Sequence, residues 1–581
     1  MSLFAGIFRI EGQIEDSVES IKLITQHISR ANDKVDTFKS SRFFLAKVDI
    51  GAFGEPALAI SDEDVCAMVG EALLEVSGKY SRSRLEEARL LSAQLSLKKV
   101  ECLLDCYGTF GLCHYNVLEH ELILAADKLG GRPIYYTITD EVVYFSTSLR
   151  VLEQLPTVPK RVDVQGLTEQ TAFGFPLGRN TPYADIKILN GGEFLRVCKN
   201  TLVSKYHRWD NVALLDTTEP TSCRRLHEIF LEAVACRGRR DMVVLSQLTG
   251  GLDSRCVVGA LCQLQKKVYA MTMALPETQE GVYSARYAKM IGATHMIVNQ
   301  RHSFEAVADI ASNIFDGNRD IAHPRLLLSG NGGSVGVGHV YMDEMIVKLM
   351  REGKLDECIK YFIKNERITL PTNVFNQFMA QKITHIPFES MKNELKGIQH
   401  VEPGRRFFIF LLQNDQRRHL HYHYENIDLY RVEYLDPFFD PRVLEFVISG
   451  NVDWFLGHKF YNKWLEMFPS AVLEVPWQAY PGHVPCPLPI ETGLSYQWGS
   501  TPVSFFAMNR LSWGNWKTCA LSVFAPQFPS SILSRTATFF RLLMHLFRMR
   551  DYSYLFSVIE NWCEFSVKCR GKMAFPSREN E

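Results

Sequence analysis

Short alternating runs of hydrophobic and polar residues over about the first 200 positions predict strands separated by turns. The strand candidates, rich in β-branched and aromatic residues, are Arg42–Val48, Gly108–Tyr115, Glu121–Ala125, Ile134–Thr137 and Glu141–Ser146. Val18–Ile28 and Ser83–Leu97 are predicted to be helices, the second because its apolar positions recur at intervals of three and four residues. Several neighbouring strands with few helices predict an α+β sandwich.

The pattern changes at Arg224, where strands and helices begin to alternate. The predicted order is a helix, a strand, a helix, a strand and a helix: Arg224–Cys236, Met242–Leu248, Ser254–Gln265, Lys267–Met273 and Glu280–Ile291. This alternation is typical of a parallel α/β sheet. Residues 340–470 are largely helical by periodicity, and the last 80 or so contain a basic, apolar stretch at Phe539–Arg550 with no recognised motif.

Composition narrows the class of protein. A chain of 581 residues predicts two or three domains. With 64 Lys+Arg against 65 Asp+Glu, there is no global basic field, so we expect no nucleic-acid and no membrane partner, although a local patch stays open. The 14 cysteines lack Cys-x-x-Cys spacing and are expected to be reduced structural thiols. No signal peptide and no apolar run of the ~18 residues that span a bilayer is found, which predicts a cytoplasmic protein.

The most informative stretch is a predicted apolar strand that runs into Thr249-Gly250-Gly251-Leu252-Asp253-Ser254 and then into a helix. Glycines let the backbone approach a ligand closely, and turn amides together with a helix N-terminus form an anion site. Thr249 and Ser254 add hydroxyl donors, and Asp253 can hold the Mg2+ that accompanies a polyphosphate. Neither the Walker spacing nor the dinucleotide fingerprint is present. The structural alternative is a plain strand-to-helix turn.

This loop resembles the Ser-Gly-Gly-x-Asp-Ser pyrophosphate loop of ATP pyrophosphatases. Within that group the chain resembles the asparagine synthetase family, including the β-lactam and lasso-peptide macrolactam synthetases, over roughly residues 4–490. Four further segments carry the resemblance in order: Ala126–Tyr136, Thr181–Asp185 followed by Gly191-Gly192, Val432–Arg442, and Gly457-His458-Lys459.

The resemblance implies a fold. Residues 1–205 are expected to form an Ntn-hydrolase-like α+β sandwich, a degenerate glutamine amidotransferase-like domain. Residues 215–495 are expected to form an α/β domain of the adenine-nucleotide α-hydrolase (ATP pyrophosphatase) type, with a parallel sheet and added helices. Residues 496–581 are left as an extension of unknown role.

The resemblance also implies site residues. ATP contacts are expected at Leu248, Thr249, Gly250, Gly251, Asp253, Ser254, Met271, Ser329 and Gly330, with Mg2+ at Asp253. Lys459 is expected to stabilise charge on the phosphate or the oxyanion, and Glu433 to position or deprotonate the amine. A surface lysine and a core-edge ion pair are the alternatives for these two.

Three departures from the family pattern change the expected activity. Ala5 stands where glutamine-dependent relatives carry the nucleophilic cysteine, which predicts that this half does not hydrolyse glutamine. Ser334 replaces an acidic residue that provides a second Mg2+ contact, and a hydroxyl binds Mg2+ more weakly than a carboxylate. Arg255 replaces the loop's last serine and could contact phosphate directly. Asp316, Asp320, Asp343 and Glu344 are the candidates to replace the missing carboxylate.

The sequence therefore predicts an ATP-dependent, amide-forming ligase. It would adenylate the carboxylate of a small molecule or peptide and pass it to an amine or ammonia, without glutamine hydrolysis. One alternative is an asparagine synthetase proper that uses ammonia for asparagine biosynthesis. Another is a catalytically degenerate scaffold or regulatory homologue. A homodimer is left open.

Overall fold

The computed structural model describes residues 2–31, 33–74, 83–139, 141–239, 241–275, 277–298, 320–366, 368, 370–479, 485–496, 516–547, 549–550, 552 and 554–576. Backbone contacts divide the chain into two compact units. The first contains residues 1–155, 189–348 and 399–499, and the second contains residues 156–188, 349–398 and 500–581. None of the helices in the described ranges is long and apolar enough to cross a bilayer.

The N-terminal part of the chain is rich in strands. Its elements, in order, are β1 Ser2–Arg9, α1 Val18–His27, β2 Val35–Lys39, β3 Phe43–Asp49, β4 Leu58–Ile60, β5 Asp64–Gly70, α2 Arg84–Ser96, β6 Phe110–Asn116, β7 Glu121–Ala126, β8 Tyr135–Ile138, β9 Val142–Ser146, α3 Leu149–Glu153, β10 Val162–Asp163, α4 Val164–Phe173, β11 Lys187–Ile188, β12 Glu193–Val197 and β13 Thr201–Lys205.

Two antiparallel sheets form a sandwich in the first unit. One carries β8, β9, β1, β3 and β2 as successive neighbours, and the other has the order β13-β12-β7-β6-β5-β4. Side chains from both sheets, such as Phe4, Phe145, Val65 and Leu124, share one buried core. Helix α2 packs on the second sheet's other face through a second cluster that includes Leu91. The predicted α+β sandwich is confirmed.

The second half of the chain alternates strands and helices before becoming helical. Its elements are α5 Glu219–Arg237, β14 Val243–Gln247, α6 Asp253–Gln263, β15 Lys267–Met273, α7 Gln279–Ile291, β16 Thr294–Val298, β17 Leu326–Leu328, α8 Gly333–Gly336, α9 Glu344–Arg351, α10 Leu355–Asn365, α11 Gln377–Ile383, α12 Ile386–Lys396, α13 Pro403–Leu411, α14 His421–Glu425, α15 Ile427–Tyr430, β18 Glu433–Leu435, α16 Pro441–Ser449, α17 Val452–Phe455, α18 Lys459–Trp464, α19 Ala471–Glu474, α20 Arg535–Leu546, α21 Leu555–Lys568 and β19 Met573–Ala574.

A five-stranded parallel sheet with the order β16-β15-β14-β17-β18 is the centre of this half. Its strands are short and apolar, as expected for a parallel sheet covered on both faces. The predicted parallel α/β domain is confirmed. Because ligands of open parallel sheets bind at the carboxyl ends of the strands, the loops after β14 and β17 are the first place to look for a site.

The second unit is built around α4, α12 and α21. The indole of Trp562 on α21 donates a hydrogen bond to the Thr171 hydroxyl (3.0 Å), and β10 pairs in parallel with β19. Residues 156–188 and the C-terminal extension therefore belong to one compact body.

Ion pairs whose carboxylates are buried join the two halves of the first unit. Arg132 of the sandwich pairs with Glu433 of β18, and both side chains are almost fully buried. Arg30 and Arg150 both pair with Asp428, at 2.7 and 3.1 Å. Because isolated buried charges are costly, the two halves depend on one another.

Candidate functional site

The loop that follows β14 is a tight turn held by its own hydroxyl groups. The Thr249 N–H donates to the Ser254 hydroxyl oxygen (2.9 Å), and the Gly251 N–H donates to the Thr249 hydroxyl (3.2 Å). A Cβ on Gly250 would lie 2.8 Å from the Cα of Glu280, so the turn needs glycine at that position. Helix α6 begins at Asp253, which places its N-terminus beside the turn.

A second loop, after β17, closes against the first. The Ser334 N–H and the Ser334 hydroxyl each donate to the Asp253 carboxylate at 2.8 Å. A Cβ on Gly333 would lie 2.6 Å from the Asp253 carboxyl carbon, and one on Gly330 would lie 2.4 Å from the Ser254 nitrogen. The two loops therefore meet backbone against backbone, and small residues make this possible.

Asp253 has a third partner from α18. The Tyr461 hydroxyl donates to its Oδ1 at 2.7 Å. Burial raises the pKa of Asp253, while the hydrogen bonds from Tyr461 and Ser334 oppose that rise. Asp253 is thus an acceptor shared by three donors on two different elements.

A cavity of about 490 Å³ opens beside these loops, within the size range of small-molecule pockets. Five of the residues predicted to contact ATP line it, and their contact with a nucleotide stays a prediction: Thr249, Gly251, Asp253, Ser254 and Gly330. The other predicted contacts do not line it with their side chains: Leu248, Met271 and Ser329 are buried, and Gly250 contributes a backbone carbonyl that accepts from the Gln478 N–H (2.8 Å). On β15, Met273 lines the cavity instead of Met271.

Three carboxyl groups and two imidazoles give the cavity wall its charge. They belong to Asp253, Glu280, Asp415, His419 and His458, and no lysine or arginine is present among the described lining residues. Asp415 lies on a π-helical turn, Leu412–Gln416, and burial raises its pKa. The described wall therefore offers an anion no lysine or arginine, so a phosphate bound here would depend on backbone amides, hydroxyls and the α6 N-terminus.

Glu280, in the first turn of α7, is a site residue that sequence reasoning missed. Its carboxylate accepts hydrogen bonds from the Gly250 N–H and from the Gln478 side-chain amide (3.0 Å). Burial raises the pKa of Glu280 to about 7, against the opposing effects of the Gly250 N–H and the Arg255 charge. A Glu in the first turn of a helix ordinarily offsets the helix dipole, so the sequence carried no signal for this contact.

We expect the free energy of unfolding to fall as pH rises from about 4.5 to about 7, because folded Glu280 keeps a proton that the unfolded chain has already lost. Glu280→Gln should remove up to about 3 kcal/mol of that dependence. Urea unfolding at pH 5 and pH ~7.5 measures the difference. The pKa values of Glu87 and Glu425 are also raised to about 7. The free energy of unfolding of the variant should therefore still fall as pH rises, but less steeply than that of the wild type. An unchanged slope in the variant would contradict the assignment.

Arg255 does not reach the cavity, so the expected direct phosphate contact is wrong. Its buried guanidinium donates to the carbonyls of Val475 (2.7 Å), Pro476 (2.6 Å) and Gly250 (3.2 Å). Burial lowers the pKa of Arg255 to about 10. Arg255 faces the core because its side of α6 packs against the segment that follows α19. The local sequence does not reveal this packing. Through its hydrogen bonds, the Arg255 guanidinium connects the loop after β14 to that segment.

Lys459 lies at the start of α18 with its side chain 61% exposed, and its Nζ is 3.3 Å from a Glu344 carboxylate oxygen. It is absent from the described cavity lining, whereas the preceding His458 and, one turn later, Asn462 are present. His458, the left-handed N-cap of α18, and Asn462 line the cavity, and Tyr461 binds Asp253, whereas the exposed Lys459 side chain pairs with Glu344. The proposed catalytic role of Lys459 stays a prediction.

Glu433 also lies away from the cavity lining. It begins β18 and is fully buried, with Arg132 as its ion-pair partner. The Arg132 guanidinium in turn lies 3.7 Å from the ring centre of Tyr424. The structure does not bring Glu433 and Lys459 together at the loop, and the role of Glu433 toward an amine stays a prediction.

Asp253 offers Mg2+ a limited site. Its Oδ1 accepts two hydrogen bonds and its Oδ2 one, which leaves one lone pair on Oδ2. One protein carboxylate suffices when phosphates and water supply the remaining oxygens, so the donor set fits Mg2+ in that manner.

Of the candidates for a second carboxylate, Asp316 lies outside the described residues. The others are engaged elsewhere: Asp320 with Lys267, Asp343 with the Ile346 N–H, and Glu344 with Lys459. No group of three metal-binding side chains occurs among the described residues.

The first unit joins an Ntn-hydrolase-like sandwich to a parallel sheet that carries a glycine turn after β14. Two family models match in that order: a glutamine amidotransferase domain at residues 74–209 and asparagine synthase at residues 225–337. The two matched segments make the chain similar to glutamine amidotransferase domains in its first half and to asparagine synthases in its second.

Individual relatives are distant. The chain is 24% identical over 314 residues to a protein named asparagine synthetase [glutamine-hydrolyzing] 1 of Bacillus subtilis, covering 51% of this chain and 49% of that protein. It is 24% identical over 237 residues to a putative asparagine synthetase [glutamine-hydrolyzing] 2 of Methanocaldococcus jannaschii, covering 37% and 44%. The chain thus spans about half the length of these relatives. A solved glutamine phosphoribosylpyrophosphate amidotransferase from B. subtilis matches at 10% identity over 56% of this chain and 95% of its own, with a TM-score of 0.24, which carries no argument.

Proposed function

We propose that this protein is an ATP-dependent carbon–nitrogen ligase that activates a carboxylate by adenylation and transfers the acyl group to an amine or ammonia. The observation that carries the proposal is the glycine turn between β14 and α6, which opens into a cavity at the carboxyl edge of a parallel sheet. A carboxylate is unreactive toward amines because oxide is a poor leaving group. Transfer of AMP to it releases pyrophosphate and creates a leaving group that the amine nitrogen displaces.

The chain's own residues supply binding and orientation. The hydroxyls of Thr249 and Ser254 share a hydrogen bond of 2.9 Å, and the one that accepts in it keeps its proton to donate to the departing pyrophosphate beside the α6 N-terminus. A Mg2+ ion held through Asp253 would neutralise part of the pyrophosphate charge. Glu280 and Gln478 hold the Gly250 backbone, so the turn keeps its shape when the ligand enters.

Ammonia or an amine, rather than glutamine, is the proposed nitrogen source. Ala5 lies in the middle of β1, fully buried between Ala46 of β3 and Ser146 of β9. It offers a methyl group where the resemblance implies a thiol nucleophile. The first half is proposed to serve as a structural domain that completes the buried interface.

A second candidate is the scaffold or regulatory homologue, favoured by one observation. Ser334 and Tyr461 occupy three of the four acceptor positions of Asp253, leaving one for a metal. An asparagine synthetase proper, using ammonia, remains the narrower version of the ligase.

ATP–pyrophosphate exchange separates these candidates. With labelled pyrophosphate, Mg2+ and a panel of carboxylic acids that includes aspartate, the ligase is expected to form labelled ATP in an acid-dependent way. Exchange with aspartate alone favours the asparagine synthetase. ATP binding without exchange for any acid favours the scaffold.

In the amide-forming assay, glutamine should yield no glutamate above a heat-killed control, while ammonium or the matching amine yields amide.

A further inference from the structure

Helix α20 turns an apolar face outward. Thr538 and Leu542 lie on its buried side. Phe540, Met544 and Phe547 recur at intervals of four and three residues on the opposite side, and the two phenylalanines are 62% and 70% exposed. A surface helix ordinarily places polar residues on its exposed side, whereas α20 has large apolar side chains there.

The adjoining helical stretch, residues 516–524, extends this face. It packs beside α20, because the Arg535 guanidinium donates to the Val523 carbonyl (2.7 Å) and Phe524 meets Phe539 with ring centres 4.8 Å apart. We use the name C-terminal apolar surface for five exposed side chains of these two helices and the turn that follows: Leu521, Phe524, Phe540, Phe547 and Met549.

Basic residues predominate in the segments that form this surface. In the described residues 516–547 and 549–550, four side chains are basic and none is acidic, and Asp551 follows in the sequence; the basic residues are Lys517, Arg535, Arg541 and Arg550. Lys517 and Arg550 are exposed, and Arg541 is half-buried. Glu560 of α21 comes near the 516–524 stretch at Cys519, which is on its buried side. The near-zero net charge of the whole chain conceals this local excess.

We propose that the C-terminal apolar surface docks the protein on an anionic lipid bilayer as a peripheral helix, in departure from the expectation that it has no membrane partner. Exposed Phe, Leu and Met on one side, with Arg and Lys beside them, are the pattern of helices that lie in the headgroup region. With 12 residues, α20 is too short for a span, which takes about 20. The basic residues complement anionic headgroups, which an apolar protein partner would not require. The inference is independent of the proposed ligase activity.

Vesicle cosedimentation tests this proposal with the full-length protein. The wild-type chain is expected to sediment with phosphatidylcholine vesicles that contain about 30% phosphatidylserine, and to do so less well as salt rises from about 0.1 to 0.5 M. Phe540→Asp with Phe547→Asp should lower the partition coefficient about tenfold or more, because two exposed apolar anchors become charged. Phe378→Asp is the matched control. Phe378 is 58% exposed in the same unit, on α11, and its change should leave binding unaltered.

A second variant tests the charge component separately. Arg541→Ala with Arg550→Ala should reduce the preference for anionic over neutral vesicles while leaving the fold intact. The proposal is overturned if the wild-type chain does not sediment with anionic vesicles, if Phe378→Asp loses binding equally, or if the arginine variant keeps the full preference. It is also overturned if light scattering shows an oligomer that only Phe540→Asp/Phe547→Asp dissociates, since a second copy would then cover the surface.

Discussion

Glu433→Ala is expected to lower the free energy of unfolding by about 3–5 kcal/mol, the range measured when one member of a buried ion pair is removed. Glu433 and Arg132 are 0% and 2% exposed at the side chain, so alanine leaves a guanidinium buried without its carboxylate. The contact of Arg132 with the face of Tyr424 is too weak to replace the carboxylate. Urea unfolding followed by tryptophan fluorescence measures the change.

The double variant Arg132→Met/Glu433→Leu is the informative comparison. It removes both charges and restores apolar volume, so its stability should lie much nearer the wild type. Glu228→Ala, which disrupts an exposed pair with Arg225, should leave stability nearly unchanged. If Glu433→Ala behaved like Glu228→Ala, the interface would not depend on this pair. If the double variant is stable and still forms the amide from the amine or ammonia, Glu433 has no role toward the amine.

Asp253→Ala is expected to reduce ATP–pyrophosphate exchange by about a hundredfold or more, since it removes the carboxylate that is proposed to hold Mg2+. Its effect on folding should be modest, about 1–2 kcal/mol, because Asp253 lines the cavity and water can take over the donors of Ser334 and Tyr461. Exchange kinetics and urea unfolding on the same preparation measure both quantities.

Two variants distinguish the possible reasons for such a loss. Ser334→Ala and Tyr461→Phe each delete one hydroxyl donor to Asp253 and leave its charge in place. Both should retain exchange within about tenfold of the wild type if Asp253 acts on the nucleotide and its metal. If either variant reproduces the loss of exchange seen with Asp253→Ala, the role of the Asp253 carboxylate is structural: it holds the two loops together through its hydrogen bonds.

Regular patterns predicted the architecture well. The strand Lys267–Met273 has the same bounds in the structure, and Val18–Ile28 is shorter by one residue. These elements follow the two-residue and 3.6-residue periods that hydrophobic burial imposes locally. The glycine turn was also predictable, because only a strand, two small residues and a helix start can build it.

The side chains around the turn were less predictable, because long-range packing decides where they point. The motif around Glu433 marked this residue as a candidate for the site. It could not identify Arg132 as its ion-pair partner, because Arg132 lies 301 positions earlier in the chain. The sequence showed that Ser334 stands where the family has an acidic residue. It did not show the two hydrogen bonds from Ser334 to Asp253, because these form only where the loop after β17 contacts the loop after β14. A single sequence does not reveal such a long-range contact.

The Gly250 carbonyl is held from two sides, by the Arg255 guanidinium and by the Gln478 N–H, so the turn and the segment Val475–Ala479 move as one piece. This has a consequence for protein engineering. Enlarging the cavity at Trp477 or Ala479 to admit a bulkier acid would also displace the turn, and affinity for ATP would change with acid selectivity. Changes at Val340 or Tyr341, which line the cavity from the chain after α8, avoid that linkage and are the better starting positions for redesigning selectivity.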